Sequence, residues 1–392
     1  MKAIILAAWK GSRLQPLTNT TPKPLIKIFW KTIIEHNLEN IYKSVDEIIF
    51  VVKYLEKEFE KYFWDNYKWV KITYKIQGEE NWTWAALMWI DIEDDLLIVS
   101  WDSIYDKKDI EKLIDFNWYW VLVKPVKDPQ KYGIFKIDTD WNIREVIEKS
   151  NEYVWNLANL WVYKFNYRIF DYIRKISISP RWEYELTDWI NMYVQDYPLK
   201  AFEISWEFID ISYPWDIITA NSYFLNNLKR SQIDWIIEEW VTIKWNIVVE
   251  EWALIKSGTY IEWNVYIWKD SIIWPNAYLR KNTTIWNNCK IWNAVEVKES
   301  SIWDNTNAAH LSYIWNSIIW NNVNLWSWFI TANLRHDETN IKVPINWELK
   351  DTWLTKFWCI IWDYTKTWMN TSTYPWRIIW NDCFTVPWQI VK

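Results

Sequence analysis

Glycine is almost absent from this chain. Its 392 residues include 4 glycines, where ordinary usage of about 7% would give roughly 27. Cysteine is scarce as well: Cys289, Cys359 and Cys383 are too few and too scattered for a disulfide framework or a thiolate zinc site, and such usage predicts a reducing, cytoplasmic setting. No apolar run approaches the ~20 residues of a membrane span, so no membrane partner is expected. The run near the N-terminus is about seven residues long, lacks a small-residue cleavage site and passes straight into Lys10 and Arg13, which reads as a strand and not as a signal peptide. Excess positive charge is missing too. With 44 Lys and Arg against 50 Asp and Glu the net charge is −6, so no nucleic-acid partner is expected. Of the three histidines, His36 is expected to decorate a helix and His336 to lie in a loop, which leaves His310.

What is abundant is tryptophan, with 39 residues. It stands where turn chemistry asks for glycine, as in Asn117-Trp118, Asp140-Trp141 and Asn346-Trp347, which imitate the Asn-Gly and Asp-Gly of tight turns. It also precedes Asn repeatedly, at 245, 263, 286, 292, 315, 320 and 380. The two deviations read as one event, a UGA codon that the cell reads as glycine and a standard table renders as tryptophan. Left-handed backbone costs a non-glycine residue roughly 1 to 2 kcal/mol, a penalty that a truly Trp-rich chain would meet at many turns. Trp215 follows a proline at an apparent helix start and reads as genuine.

The chain carries two periodicities. Up to about residue 230 short β-rich runs (Glu47 to Val52, Leu96 to Ser100, Val121 to Val126) alternate with helical patterns (Thr32 to Lys43, Leu55 to Phe63, Thr83 to Ile90), which predicts an α/β domain around a largely parallel sheet. Beyond residue 240 an aliphatic residue recurs every six positions from Ile243 through Val297, continues at Ile302, Ala308 and Ile314, and again at Ile319 and Leu325. That is the signature of a parallel β-helix. A charged stretch from about Leu334 to Thr355 breaks the period as an extruded loop, and the period returns at Ile361, Thr367, Thr373 and Ile379. The expected division is a first domain over 1–228, a linker over 229–242 and a β-helix over 243–392.

The opening "LAAWKGSRLQPLT…PKPL", with glycine read for Trp9, resembles the phosphate loop of the sugar-1-phosphate nucleotidylyltransferases. The resemblance spans the first 225 residues or so. It implies a Rossmann-like fold in which a sugar 1-phosphate oxygen attacks the α-phosphorus of a nucleoside triphosphate, a transfer that depends on positioning and charge neutralisation. Arg13 and Lys23 then serve the triphosphate as catalytic cations, with Ala8 and Gly11 in the loop. Gln77, Trp82 (standing for glycine) and Thr83 read the base, UTP or dTTP. Asp102 in "SWDSIY" and Asp210 in "EFIDI" resemble the family's two ligands for Mg²⁺. Gly133, Glu148, Lys149 and Asn159 match its sugar-phosphate contacts, although Ser150 replaces a usual proline and Leu160 a usual small residue.

"NAAHLSYIW" and "VNLWSWFITANLRHDE" resemble the acetyltransferase half of the bifunctional glucosamine-1-phosphate acetyltransferase and N-acetylglucosamine-1-phosphate uridylyltransferase enzymes, closest to the archaeal type. This implies a left-handed β-helix, a homotrimer and acetyl-CoA as co-substrate. His310 becomes the candidate base, suited to taking an amine proton near pH 7. Arg280, Lys298, Tyr313, Asn324 and Asn333 match the amino-sugar site, and Ser327 lines the coenzyme A groove. The reading is a cytoplasmic bifunctional enzyme: an α/β Rossmann-like nucleotidylyltransferase domain followed by a left-handed parallel β-helix of hexapeptide repeats. Its alternative is a monofunctional glucose-1-phosphate thymidylyltransferase with a structural β-helix. A third class, a carbohydrate-binding protein with tryptophan platforms, requires the tryptophans to be real.

Overall fold

The structure, a computed structural model, describes residues 1–78, 87, 88, 90–148, 155–175, 186–205, 208–332, 334–345, 348–357 and 359–392. It separates into two units. The first comprises Met1–Gly11, Thr21–Lys27 and Lys31–Asp210, and the second Ser12–Thr20, Ile28–Trp30 and Ile211–Lys392. Helix Pro214–Asn226 therefore groups with the second unit, as do nine residues of the loop that follows Gly11.

The first unit is built on strands β1 (Lys2–Leu6), β2 (Glu47–Val52), β3 (Val70–Ile76) and β4 (Leu96–Ser100). They run parallel in the order β4-β1-β2-β3. Strands β1, β2 and β4 are short apolar runs, Ile4, Ile5, Phe50, Val51, Leu97 and Ile98 among them, and all six are fully buried, as strands of a parallel sheet covered on both faces must be; the outer β3 is partly exposed. Antiparallel strands extend the sheet past β4: β5 (Trp120–Pro125), β6 (Gly133–Ile137), β7 (Ile143–Glu148) and β8 (Leu157–Phe165). Helix α1 (Ile33–Ile41) begins at a capping box, where Thr32 Oγ1 accepts from Glu35 N at 3.2 Å and Glu35 Oε2 accepts from Thr32 N at 2.8 Å. His36 lies on α1 but is buried, so it packs and does not decorate. The expected helix over Thr83 to Ile90 falls mostly outside the described residues.

The second unit is a left-handed parallel β-helix of three sheets. Short strands repeat every 18 residues, so that Val249 pairs in register with Ile267 and Ile267 with Ile285, while Ile261 pairs with Leu279 and Leu279 with Val297. Every one of these inward residues is buried. The two five-residue steps in the sequence period, Val297 to Ile302 and Ile314 to Ile319, are corners one residue tighter. The register consequently falls to 17, as in Ser301 with Ile318. An antiparallel hairpin, Lys342–Ile345 with Glu348–Asp351, occupies the aperiodic stretch. The coil resumes beyond it, with Ile318 pairing directly to Ile360.

Most corners turn on a residue in left-handed backbone. One column of such corners runs through Trp240, Gly258, Asn276, Ala294, Leu311, Trp328, Asn370 and Trp388, all with φ between +56° and +78°. Another runs through Trp252, Asp270, Asn288, Asn305, Asn322, Tyr364 and Asp382. Asn and Asp tolerate this region and glycine does so without penalty. Tryptophan does not. The tryptophans that follow the inward aliphatic residue behave differently. Trp268, Trp286, Trp303 and Trp320 have no left-handed backbone and stack in a ladder with ring centroids 4.7, 5.4 and 3.7 Å apart.

Candidate functional site

In the first unit the candidate residues collect at the carboxyl ends of the parallel strands, where ligands of open α/β sheets bind. Ala7 N donates to Val51 O and Gln77 N to Val52 O, each at 2.8 Å, tying the ends of β1, β2 and β3 together. The loop after β1 exposes Trp9 and Lys10 and turns at Gly11, whose φ of +66° supplies the left-handed step. Trp9 is not left-handed, so a glycine there would serve space and not backbone freedom. Gln77, directly after β3, is buried.

Asp102 follows β4. Its Oδ1 accepts from Ser100 Oγ at 2.6 Å and its Oδ2 from the buried Lys23 Nζ at 3.3 Å. Burial pushes the Asp102 carboxyl up, but the Lys23 ammonium, the Ser100 hydroxyl and a backbone N–H outweigh it and hold the group below its usual value. Strand Ile209–Asp210 pairs antiparallel with Ser103–Ile104, placing Asp210 opposite Ser103 and one position from Asp102. The nearby Tyr105 hydroxyl is pushed well up by burial, with the charges of Asp102 and Asp210 adding to the effect. Two carboxylates over 100 residues apart in sequence thus become neighbours. As hard oxygen donors beside a phosphate-binding loop they fit a divalent cation of the Mg²⁺ kind, which takes one or two carboxylates and completes its shell from phosphates and water.

The sugar-side candidates also converge. Gly133 is the register partner of Glu148, and a Cβ built on Gly133 would stand 2.7 Å from Glu148 Oε2 and 3.9 Å from Asn159 Cβ. Asn159 is buried and linked both ways to Tyr163, donating from Nδ2 at 2.6 Å and accepting at Oδ1 at 2.9 Å. The register of β8 against β5 slips between Asn159 and Tyr163, and Trp161 sits in that irregularity with φ of +59°. Trp82, Thr83, Lys149 and Asn333 lie outside the described residues.

Arg13 belongs by its packing to the second unit, where its guanidinium lies over the Tyr213 ring at 5.9 Å. In the β-helix, Arg280 pairs in register with Lys298, and Glu296 with Tyr313, on one face of one sheet. Arg280 Nη1 reaches Glu296 Oε1 at 3.2 Å. Burial pushes the Lys298 ammonium down, with Arg280 and Lys356 adding. Burial and the Glu296 charge push the Tyr313 hydroxyl up to about 12. His310 is exposed in the corner between strands Asn307–Ala308 and Tyr313–Trp315. Its carbonyl accepts from Trp328 N at 3.2 Å, so Ser327 occupies the matching corner one coil further on. Asn324 stacks above Asn307 in the adjoining sheet. Arg280, Lys298, His310 and Ser327 therefore lie on neighbouring coils. Such an arrangement can hold an anionic amino sugar beside a base.

A family model described as nucleotidyl transferase matches residues 2–229. The chain belongs to the nucleotidyl transferase family. It is 37% identical over 386 residues to the bifunctional protein GlmU of Methanocaldococcus jannaschii, covering 98% of this chain and 93% of that one. It is 38% identical over 377 residues to a bifunctional sugar-1-phosphate nucleotidylyltransferase/acetyltransferase of Sulfurisphaera tokodaii, covering 96% and 93%. Among solved structures, one from Bacillus anthracis described as a glucose-1-phosphate thymidylyltransferase superposes with a TM-score of 0.52 at 24% identity, covering 59% of this chain and 98% of its own. That likeness concerns the fold. The similarity to the two archaeal proteins runs through both units, so it covers the β-helix as well as the sheet.

Two contributors escaped the sequence reading. Ser100, which donates to Asp102, is an ordinary strand-end serine whose only signal is its place two residues before the aspartate. Glu296, between Arg280 and Tyr313, looks like any solvated charge until the 18-residue coil sets it beside them.

Proposed function

We propose that the chain makes a nucleotide sugar in two steps at two separate sites. At the β-helix, glucosamine 1-phosphate is acetylated by acetyl-CoA; in the first unit, the resulting N-acetylglucosamine 1-phosphate takes a uridylyl group from UTP. One observation carries the reading: a relative named as a bifunctional sugar-1-phosphate nucleotidylyltransferase/acetyltransferase matches this chain over 96% of its length. The monofunctional thymidylyltransferase alternative leaves the Arg280, Lys298 and His310 arrangement without a task.

In the acetylation, the sugar amine attacks the thioester carbonyl, His310 takes the proton from the nitrogen, and coenzyme A departs as the thiol. Arg280 and Lys298 hold the sugar phosphate. Tyr313 and Asn324 orient the amino sugar, Asn333 is assigned the same service, and Ser327 borders the coenzyme A. In the second step a phosphate oxygen of the sugar bonds to the α-phosphorus while the bond to the β-phosphate bridging oxygen breaks, releasing pyrophosphate. Lys23, Arg13, Lys10 and the backbone at Ala8 and Gly11 neutralise the triphosphate, and Gln77 with Thr83 reads the uracil edge. Glu148 and Asn159 orient the sugar while Lys149 meets its phosphate. Asp102 and Asp210 would hold Mg²⁺, which would supply charge neutralisation at the phosphates. The scarce cysteines support a cytoplasmic setting, and we assign a homotrimer as the family resemblance implies.

Two substitutions separate the sites. Asp102→Asn should abolish pyrophosphate release and leave coenzyme A release at its parental rate. His310→Ala should slow acetylation about 10²-fold or more, the usual contribution of a positioned base, with uridylyl transfer unchanged. Equal loss of both activities in either variant contradicts the two-site assignment.

A further inference from the structure

The loop that follows Gly11 changes unit as it leaves the strand that delivers it. Residues Ser12–Thr20 belong to the second unit. Within this segment Leu14 and Leu17 are fully buried, and Arg13 lies over Tyr213, the residue that precedes helix Pro214–Asn226. At its far end Thr20 Oγ1 donates to Asp363 Oδ2 of the β-helix at 2.7 Å.

Asp363 is built for this contact. It lies in a corner just beyond strand Cys359–Ile361 and is 4% exposed. Its Oδ1 accepts from both Asn321 N at 3.1 Å and Asn321 Nδ2 at 3.2 Å. The same double contact joins Asn287 to Asp304 at 3.0 Å on the coils before, so Oδ1 serves the solenoid's own ladder. That leaves Oδ2 pointed at the loop. The Trp362 indole Nε1 also reaches Thr20 Oγ1, at 3.3 Å, but a glycine at position 362 would leave the Thr20–Asp363 bond standing. A hydroxyl held by a nearly buried carboxylate is a charge-assisted bond with a fixed direction.

We infer that Thr20 and Asp363 are positioning residues for nucleotidyl transfer, through which the β-helix fixes the loop that carries Arg13. The inference rests on the proposed function for the role of Arg13, while the anchor itself can be read without any activity. On this account the β-helix is more than the site of the other reaction. It also holds the loop that carries Arg13.

The test compares the full chain with its Thr20→Val and Thr20→Ser variants. Valine keeps the shape and removes the donor; serine restores the donor. Amide hydrogen exchange over residues 12–20 should rise in Thr20→Val and return to the parental level in Thr20→Ser. The KM for UTP should rise about tenfold or more in Thr20→Val, the scale of one hydrogen bond to a charged group. Coenzyme A release should be unchanged, and serine should restore the KM. Unaltered exchange in Thr20→Val overturns the anchor. Raised exchange with an unaltered KM overturns its role in catalysis. A parent chain that transfers no uridylyl group refutes the proposed function instead, and the exchange measurement still decides the anchor.

Discussion

Ten tryptophans of the described residues hold left-handed backbone: Trp64, Trp141, Trp161, Trp240, Trp252, Trp263, Trp328, Trp353, Trp376 and Trp388. At roughly 1 to 2 kcal/mol each, their joint penalty would match the entire net stability of a typical domain, about 5 to 15 kcal/mol. Gly258 shares its corner column with Trp240, Trp328 and Trp388, which shows what that corner takes when glycine is available. Trp101 tells the same story from the side of space. Its indole is buried beside Asp102 and 4.7 Å from Lys23 Nζ, where the proposed function needs room for the substrate phosphates. Trp215 differs: it sits one residue into a helix, buried, stacked on Tyr213 at 4.6 Å and edge-on to Phe357 at 6.0 Å. Peptide mass spectrometry of the protein from its native cell should therefore find glycine at 9, 101, 161, 240 and 328 and tryptophan at 215. Tryptophan at 240 and 328 would refute the reassignment. The expectation made from Asn117-Trp118 is weaker than it looked, since Trp118 is not among the left-handed residues, and the ladder tryptophans make no backbone demand for glycine either.

Strand boundaries were legible where a buried run ended at a turn signal. Glu47–Val52 and Leu96–Ser100 form over the residues expected, because continuous Ile, Val and Leu leave no amphipathic alternative. The β-helix was legible for a stronger reason: an error in a six-residue period would bury a polar residue within one coil. The antiparallel flank was not legible. Pairing of Gly133 with Glu148 and of Ile134 with Ala158 depends on contacts across the sheet that no local pattern encodes. Yet this flank gathers three sugar-side candidates, and it supports a specific prediction. Gly133→Ala would press a methyl group against the end of the Glu148 side chain, 2.7 Å away. A flexible carboxylate can swing aside, so thermal stability should change little, while the KM for the sugar 1-phosphate should rise severalfold. A large fall in melting temperature with an unaltered KM would show that Gly133 serves the fold and not the sugar.

At the scale of the whole chain, two architectures carry two clusters of chemistry, and the sequence announced both because their periods differ. What it hid was the path of the loop after Gly11. Nothing in "GSRLQPLTNT" says that Ser12–Thr20 would group with the second unit, since apolar residues record that they are buried and not against what. The account's central claim is that one chain performs both transfers on one substrate. It is tested most directly by supplying the full chain with glucosamine 1-phosphate, UTP, Mg²⁺ and acetyl-CoA labelled with ¹³C in the acetyl group, then analysing the nucleotide sugar by mass spectrometry. The account predicts a UDP-sugar carrying the labelled acetyl group, with coenzyme A and pyrophosphate released in equal amounts. A nucleotide sugar formed with pyrophosphate release but without the label would contradict it.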